Sequence, residues 1–315
     1  MKTTSLRSLR SFAPKKLALL ATLSALQPFI ARCAESPGPR TNPVVIPFEF
    51  RRGHVLIPAQ VAGTNAQPFI LDTGYSMTML PPGLGDALQL RRRGEVTIVG
   101  IAGEEEANVF EGPRMEFNGL TWTLRRVAAF PESGRGRKRE GILGSGFFRR
   151  FVVEIDQRAK SVTLHEPGAF QYAGEGEILP LRFKRGSSTP IVTASINATN
   201  EGAVQGEFEV DTGCDSALCL ARDFTDRHRL VPPDARSSGR TGVGGGTRTR
   251  AGRLASLHLG KLRVERPSAE FFEQGSPADD GLAGHIGLEA FRDFKSIFDY
   301  SRQRLILEPL ASGNR

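Results

Sequence analysis

Short apolar runs separated by turn residues recur along most of the chain. Residues 54–61 and 190–196 are two such runs, and each is followed, after a turn, by a second apolar run that leads into an Asp-Thr-Gly triplet. Runs of this length between turn residues predict β-hairpins. Apolar residues at 147, 148 and 151, and again at 290, 291 and 294, have the spacing of a short amphipathic helix. The pattern predicts a mainly β protein with little helix.

The N-terminal segment has a different pattern. An apolar run at residues 17–31 follows four basic residues, Arg7, Arg10, Lys15 and Lys16. A basic stretch followed by a short apolar stretch is typical of a secretory signal, and about 20 apolar residues are needed to span a bilayer comfortably. We therefore expect residues 1–34 to be a signal peptide of a periplasmic or secreted protein. An uncleaved membrane anchor, or lipidation at Cys33, is the alternative, and any membrane association is expected through this segment alone.

Charge argues against nucleic-acid binding. The formal net charge is +8, but residues 1–34 contain six basic and no acidic residues. The remainder has 36 basic and 34 acidic residues, which is nearly balanced. The five histidines form no His-Glu-x-x-His motif and no cluster with cysteine, so no metal site and no cofactor are predicted.

The three cysteines do not predict a disulfide scaffold. Cys214 and Cys219 are five positions apart. On an extended strand their α-carbons would lie roughly 16 Å apart, beyond disulfide reach. A turn between them would permit a bridge, but two buried thiols are the favoured interpretation.

The chain repeats itself. Residues 69–76 read Phe-Ile-Leu-Asp-Thr-Gly-Tyr-Ser, and residues 208–215 read Phe-Glu-Val-Asp-Thr-Gly-Cys-Asp. Gly-Ile-Leu-Gly at 141–144 corresponds to Gly-His-Ile-Gly at 284–287. The repeat predicts two homologous lobes, 44–170 and 178–311, with a glycine-rich join between them that is long enough for both lobes to meet within one chain.

The paired triplets indicate acid–base chemistry. Two similar lobes related by a pseudo-twofold axis would bring Asp72 and Asp211 together, and adjacent carboxylates share one proton because both cannot easily ionise. One carboxylate then activates a water as general base, while the other polarises a carbonyl as general acid. Thr73 and Thr212 are placed to hydrogen-bond across the axis. Gly74 and Gly213 let the backbone approach the site closely.

These motifs resemble those of retropepsin-like aspartic proteases with two homologous halves in one chain, and bacterial exported members more than pepsins. The resemblance implies two β-barrel lobes around a pseudo-twofold cleft, and a monomeric endopeptidase acting on peptides or proteins without a cofactor. It assigns catalysis to Asp72 and Asp211. It implies further residues in two roles. Loop support comes from Thr73, Gly74, Ser76, Thr212 and Gly213. Substrate contact comes from Asp215 and from Gly103 and Gly244, which lie in the glycine segments 98–103 and 242–246, where the family has its flaps.

Three departures from the family pattern keep other functions open. Tyr75 and Cys214 follow the triplets where the family usually has Ala or Ser, and His285 occupies a position that is usually apolar. The alternatives are a peptide-binding pseudoenzyme, in which Tyr75 blocks the catalytic water, and a structural protein of the cell envelope that uses the lobes as a scaffold. A cleavage assay separates the enzyme from both alternatives. Peptide binding without turnover separates the pseudoenzyme from the structural protein.

Overall fold

The computed structural model describes residues 42–130, 139–184, 188–198, 202–275, 277–278 and 281–310. The proposed signal peptide, Cys33 and residue 311 lie outside these ranges. Within these ranges the first half contains thirteen strands and two short helices. The strands are β1 Val44–Pro47, β2 Glu49–Arg51, β3 His54–Val61, β4 Gln67–Leu71, β5 Met79–Leu80, β6 Arg92–Gly100, β7 Gly103–Glu111, β8 Arg114–Phe117, β9 Leu120–Thr123, β10 Arg126–Ala129, β11 Gly141–Leu143, β12 Val152–Asp156 and β13 Ser161–His165. The helices are α1 Leu84–Ala87 and α2 Ser145–Arg150.

The second half repeats this order. Its strands are β14 Glu177–Pro180, β15 Ile191–Asn197, β16 Val204–Asp211, β17 Leu218–Leu220, β18 Arg236–Gly242, β19 Gly245–Arg253, β20 Ser256–Leu259, β21 Leu262–Glu265, β22 Ser268–Phe272, β23 Gly284–Gly287, β24 Phe294–Asp299 and β25 Arg304–Pro309. Its helical elements are α3 Arg222–His228 and two 3₁₀ turns, Leu288–Phe291 and Tyr300–Arg302. The two helices predicted from the phenylalanine spacing are present, the second as a 3₁₀ turn. Helices α1 and α3, at matching places in the halves, were not predicted.

The two halves have the same sheet topology. The first sheet has the strand order β6-β7-β10-β5-β11-β4-β3-β8-β9, with β2 paired to β3. The second has the order β18-β19-β22-β17-β23-β16-β15-β20-β21. Each position in one order corresponds to the same position in the other. The prediction of a mainly β protein with two homologous lobes is confirmed.

A third sheet joins the lobes, and the sequence did not predict it. Its order is β1-β13-β12-β24-β25-β14, so three strands of the first half lie side by side and are followed by three strands of the second half. Strands β12 and β24 meet at its centre in antiparallel register, with Val153 opposite Phe298 and Ile155 opposite Ser296. The glycine-rich segment that joins the lobes contacts this sheet, because the Tyr172 hydroxyl donates to the carboxylate of Glu308 on β25 at 2.8 Å. The lobes therefore pair through backbone hydrogen bonds within one chain.

Aromatic side chains fill the interface between α2 and this shared sheet. Phe147, Phe148 and Phe151 are almost fully buried. The Phe148 ring lies 5.4 Å from that of Phe298 and 5.7 Å from that of Tyr300, both in the other half. Helix α2, which follows β11 beside the first triplet loop, is thus packed against the second lobe, and this packing fixes the position of one loop relative to the other.

Within the described ranges, the longest apolar helical stretch falls short of what a membrane crossing requires.

We predict that Phe148→Ala lowers the free energy of unfolding by about 3–5 kcal/mol, because it leaves a cavity between the lobes. Urea unfolding followed by the fluorescence of Trp122, the one tryptophan of the chain, measures this loss. Phe50→Ala is the control, since Phe50 is 51% exposed and a surface change of this kind shifts stability by about 0.5 kcal/mol or less. Equal losses in the two variants would contradict the packing described.

Candidate active site

Both Asp-Thr-Gly triplets lie where a strand ends beside a parallel neighbour. Strand β4 delivers Asp72 and is paired with β11, and β16 delivers Asp211 and is paired with β23. The Asp72 amide donates to the Leu143 carbonyl at 3.1 Å. A side chain at Gly144 would collide with the carbonyls of Met77 and Tyr75. The apolar-apolar-Gly segments therefore pack beside the triplet loops.

The two threonines lock the loops together across the axis. The Thr73 amide donates to the Thr212 hydroxyl at 3.0 Å, and the Thr212 amide donates to the Thr73 hydroxyl at 3.0 Å. Each hydroxyl then donates to a carbonyl of the opposite strand, Thr73 to Val210 at 2.6 Å and Thr212 to Leu71 at 2.9 Å. Both threonines are fully buried. The predicted cross-axis bonding is present, and it holds both loops in one geometry.

These threonine hydrogen bonds hold the loops so that the two carboxyl groups are in hydrogen-bond contact. Each is oriented by its own loop, because the amides of Gly74 and Gly213 donate to Asp72 Oδ1 and Asp211 Oδ1 at 2.9 Å each. The glycines also face the opposite carboxyl group. A Cβ at Gly74 would lie 2.7 Å from Asp211 Oδ1, and one at Gly213 would collide with the Asp72 carboxyl. The triplet therefore requires glycine at both positions.

His285 contacts Asp211 and is itself held by Glu209, an arrangement that has no counterpart at Asp72. His285 Nδ1 lies 2.9 Å from Asp211 Oδ2, and Nε2 lies 2.8 Å from Glu209 Oε2. The sequence marked His285 as unusual but assigned it no role, and it did not mark Glu209. The signal was present, because a charged residue interrupts the apolar run before the second triplet.

Burial and charge shift the pKa values of the two carboxyls, called the dyad below, in opposite directions. Burial, together with the charge of Asp211, raises the pKa of Asp72 well above its usual range. Burial acts in the same direction on Asp211, but the charge and hydrogen bond of His285 outweigh it and lower the pKa of Asp211. Burial would lower the pKa of His285, yet its contacts with Asp211 and Glu209 raise it to about 10. The proton that the two carboxyls share therefore belongs on Asp72.

Two hairpins cover the carboxyl pair. They are formed by β6 with β7 and by β18 with β19, and their turns carry the predicted flap glycines. The tips meet: the Ala102 amide donates to the Val243 carbonyl at 3.3 Å, and a side chain at Gly244 would collide with the backbone of Gly103. Gly103 and Gly244 thus contact each other, and their contact with substrate stays a prediction.

A cavity of about 350 Å³ lies between the flaps and the dyad. Its lining combines both aspartates with apolar and aromatic side chains, among them Tyr75, Ile101, Val243 and Phe272. The Tyr75 ring packs against the apolar cluster that includes Met79 and Phe130. A mostly apolar lining around a few polar groups is typical of ligand-binding cavities.

The remaining predicted site residues have different surroundings. Ser76 is exposed, and its carbonyl accepts a hydrogen bond from the Ser145 hydroxyl at 2.9 Å, so it ties the loop to α2. The Asp215 carboxylate forms an ion pair with Arg240 on β18. Arg240 lines the cavity and was not predicted from the sequence. Substrate contact by Asp215 stays a prediction, with Arg240 as its neighbour.

Cys214 and Cys219 are buried free thiols, as expected, but the separation predicted for them was wrong. Their sulfur atoms lie 2.9 Å apart. The estimate assumed an extended strand, whereas the chain turns after Asp211, where the Cys214 amide donates to the Asp211 carbonyl at 3.0 Å. The hydrogen bond with Cys219 and burial raise the pKa of the Cys214 thiol well above its usual range.

Among the described residues, no group of three or more His, Cys, Asp or Glu side chains is arranged to hold a metal ion.

Comparison with known proteins agrees with this geometry. A search of curated sequences found no significant match. A family model described as aspartyl protease matches residues 57–147 and 192–290, one segment in each lobe and each containing one triplet. Because the matched segments cover more than half of the chain and centre on the paired carboxyl loops, the chain belongs to the aspartyl protease family.

Proposed function

We propose that this protein is an active aspartic endopeptidase of the exported, retropepsin-like type. The observation that carries the proposal is the hydrogen-bonded pair of Asp72 and Asp211 at the base of a flap-covered cavity. A protease role in general follows from the family. The catalytic competence of this chain rests on the intact pair and its orientation by the glycine amides.

The chemistry follows from the charge states. Asp211, ionised, takes a proton from a water held between the carboxyls, and the resulting nucleophile attacks the scissile carbonyl carbon. Asp72, protonated, donates to the carbonyl oxygen as that oxygen becomes negative, which gives a neutral tetrahedral diol. The proton gained by Asp211 then passes to the amide nitrogen, the C–N bond breaks, and a diol proton returns to Asp72. Atoms and charge balance over the cycle, and no metal is required.

The substrate is an extended peptide or protein segment. The flap tips contact each other, so they must part to admit a chain. Ile101, Val243 and Phe272 offer apolar contacts to side chains on either side of the scissile bond. Backbone contacts from Gly103, Gly244 and Asp215 are proposed to hold the peptide main chain.

The pseudoenzyme alternative depends on Tyr75 excluding water. The packing of its ring against the first-lobe cluster of Met79 and Phe130 favours a role as a cavity wall. Both carboxyls line the cavity beside it. A wall residue shapes substrate preference and leaves the nucleophilic water its place between the carboxyls.

Export and oligomeric state are parts of the same proposal. Export to the periplasm or outside the cell rests on the basic-then-apolar pattern of residues 1–34 alone. Action as a monomer is supported by the shared sheet, in which β12 of one lobe pairs with β24 of the other.

Asp72→Asn and Asp211→Asn are each expected to lower kcat by roughly 10²–10⁴-fold, because each carboxyl has a proton-transfer role that the other cannot fill. Cleavage of a fluorogenic peptide library measures the loss, and near-ultraviolet circular dichroism checks the fold. Asp293→Asn is the matched control, since the Asp293 side chain is 66% exposed, and it should retain activity. Activity near that of the wild type in either dyad variant would contradict the proposal.

Activity per molecule is expected to stay constant on dilution, because one chain supplies both carboxyls. Mixing Asp72→Asn chains with Asp211→Asn chains should restore no activity. Progress curves over a hundredfold dilution series and on the mixture test this expectation. Rescue on mixing would show that lobes pair between chains, and the monomer proposal would then be wrong.

A further inference from the structure

Next to the two catalytic strands, the lobes differ in charge at one pair of neighbouring residues. In the first lobe, Ile70 on β4 lies opposite Ile142 on β11. In the second lobe, the corresponding neighbours on β16 and β23 are Glu209 and His285. An apolar pair beside Asp72 is thus replaced by an ionisable pair beside Asp211.

The contacts of His285 define its protonation. Its two ring nitrogens each face a carboxylate oxygen, Asp211 Oδ2 at 2.9 Å and Glu209 Oε2 at 2.8 Å. A neutral imidazole donates from one nitrogen only, so a ring between two acceptors satisfies both as the imidazolium. The His285 side chain is 10% exposed and that of Glu209 is 7% exposed, so solvent screens neither contact strongly.

The surroundings of His285 contain few other ionisable groups. Strand β16 contributes Glu209 and Asp211, and β17 contributes Cys219, which lies opposite His285 in the ladder. Cys214 and Asp72 line the same cavity, and Arg240 reaches it from the flap. Of these, the two carboxylates of β16 are in direct contact with the ring.

From this juxtaposition we propose that His285, held by Glu209, is a positioning residue that keeps Asp211 ionised and so assigns the shared proton to Asp72. The inference rests on the proposed function, since it decides which aspartate is the base and which the acid. In a dyad with like surroundings either carboxyl can hold the proton. Here the second lobe contributes a fixed positive charge on one side only.

The pKa values of His285, Asp211 and Asp72 are shifted in the directions that this role requires. The pKa of His285 is raised to about 10, so the ring remains a cation throughout the range in which aspartates titrate. The pKa of Asp211 is lowered and that of Asp72 is raised. The charge of His285 also acts weakly on Asp72, in the direction that lowers its pKa.

The sign of the effect on catalysis follows. Activity requires Asp211 ionised, which sets the acid limb of the pH profile, and Asp72 protonated, which sets the alkaline limb. Loss of the cation raises the pKa of Asp211 and, less strongly, that of Asp72. An opposite charge in contact shifts a carboxyl by roughly 1–3 pH units, so the acid limb should move to higher pH by about that amount.

The test is the pH dependence of kcat/KM in two variants. His285→Asn removes the cation. The double variant Glu209→Ile with His285→Ile reproduces the first-lobe pair and leaves no unpaired buried charge, so it serves if the single variant fails to fold. Both should shift the acid limb alkaline by about one unit or more and the alkaline limb by less. Ile142→Val, at the matching position of the first lobe, is the control and should leave the acid limb in place.

A second readout is independent of activity. ¹⁵N NMR of the His285 ring in the full chain should show both nitrogens protonated at pH 8, and Glu209→Gln should lower the pH at which the ring loses its proton. A neutral ring at pH 7, or an acid limb unchanged in a folded double variant, overturns the inference. If Asp211→Asn cleaves like wild type, the proposed function fails, while the ring signals still decide the charge of His285.

Discussion

Two buried carboxyl groups in contact repel each other unless they share a proton, and this constraint governs the structure around them. The reciprocal bonds between Thr73 and Thr212 hold the loops against that repulsion. The amides of Gly74 and Gly213 orient one oxygen of each carboxyl. Without these bonds, separation of the loops would relieve the repulsion and break the contact between the carboxyls.

The rest of the fold holds this contact in place. Two sheets of identical strand order present the triplets at equivalent ends, and a six-stranded sheet built from both lobes fixes their distance. Symmetry of the backbone does not extend to charge, because Glu209 and His285 stand where the first lobe has Ile70 and Ile142. The backbone is therefore symmetric, whereas the shared proton is placed on one of the two carboxyls. Acid–base catalysis by two identical side chains requires this difference in protonation.

Local patterns predicted the parts of the site that depend on local geometry. The strands before each triplet, the flap turns and the threonine bonds follow from short motifs and from the repeat. The shared sheet was not predicted, because strand pairing between distant segments such as β12 and β24 has no local signature. Glu209 carried a local signal, as a charge within an apolar run, but its role depends on His285, which is 76 residues away. The cysteine separation was misjudged because a turn replaced the assumed extended strand.

The most direct measurement is a ¹³C-carboxyl NMR titration of the aspartate-labelled protein, with the two resonances assigned from the Asp72→Asn and Asp211→Asn variants. The account predicts two well-separated steps, the lower one dominated by Asp211 and the upper one by Asp72, because His285 lies against Asp211 alone. Two independent titrations near the ordinary aspartate value, about 3.9, would contradict contact between the carboxyls. A lower step dominated by Asp72 would contradict the assignment of acid and base.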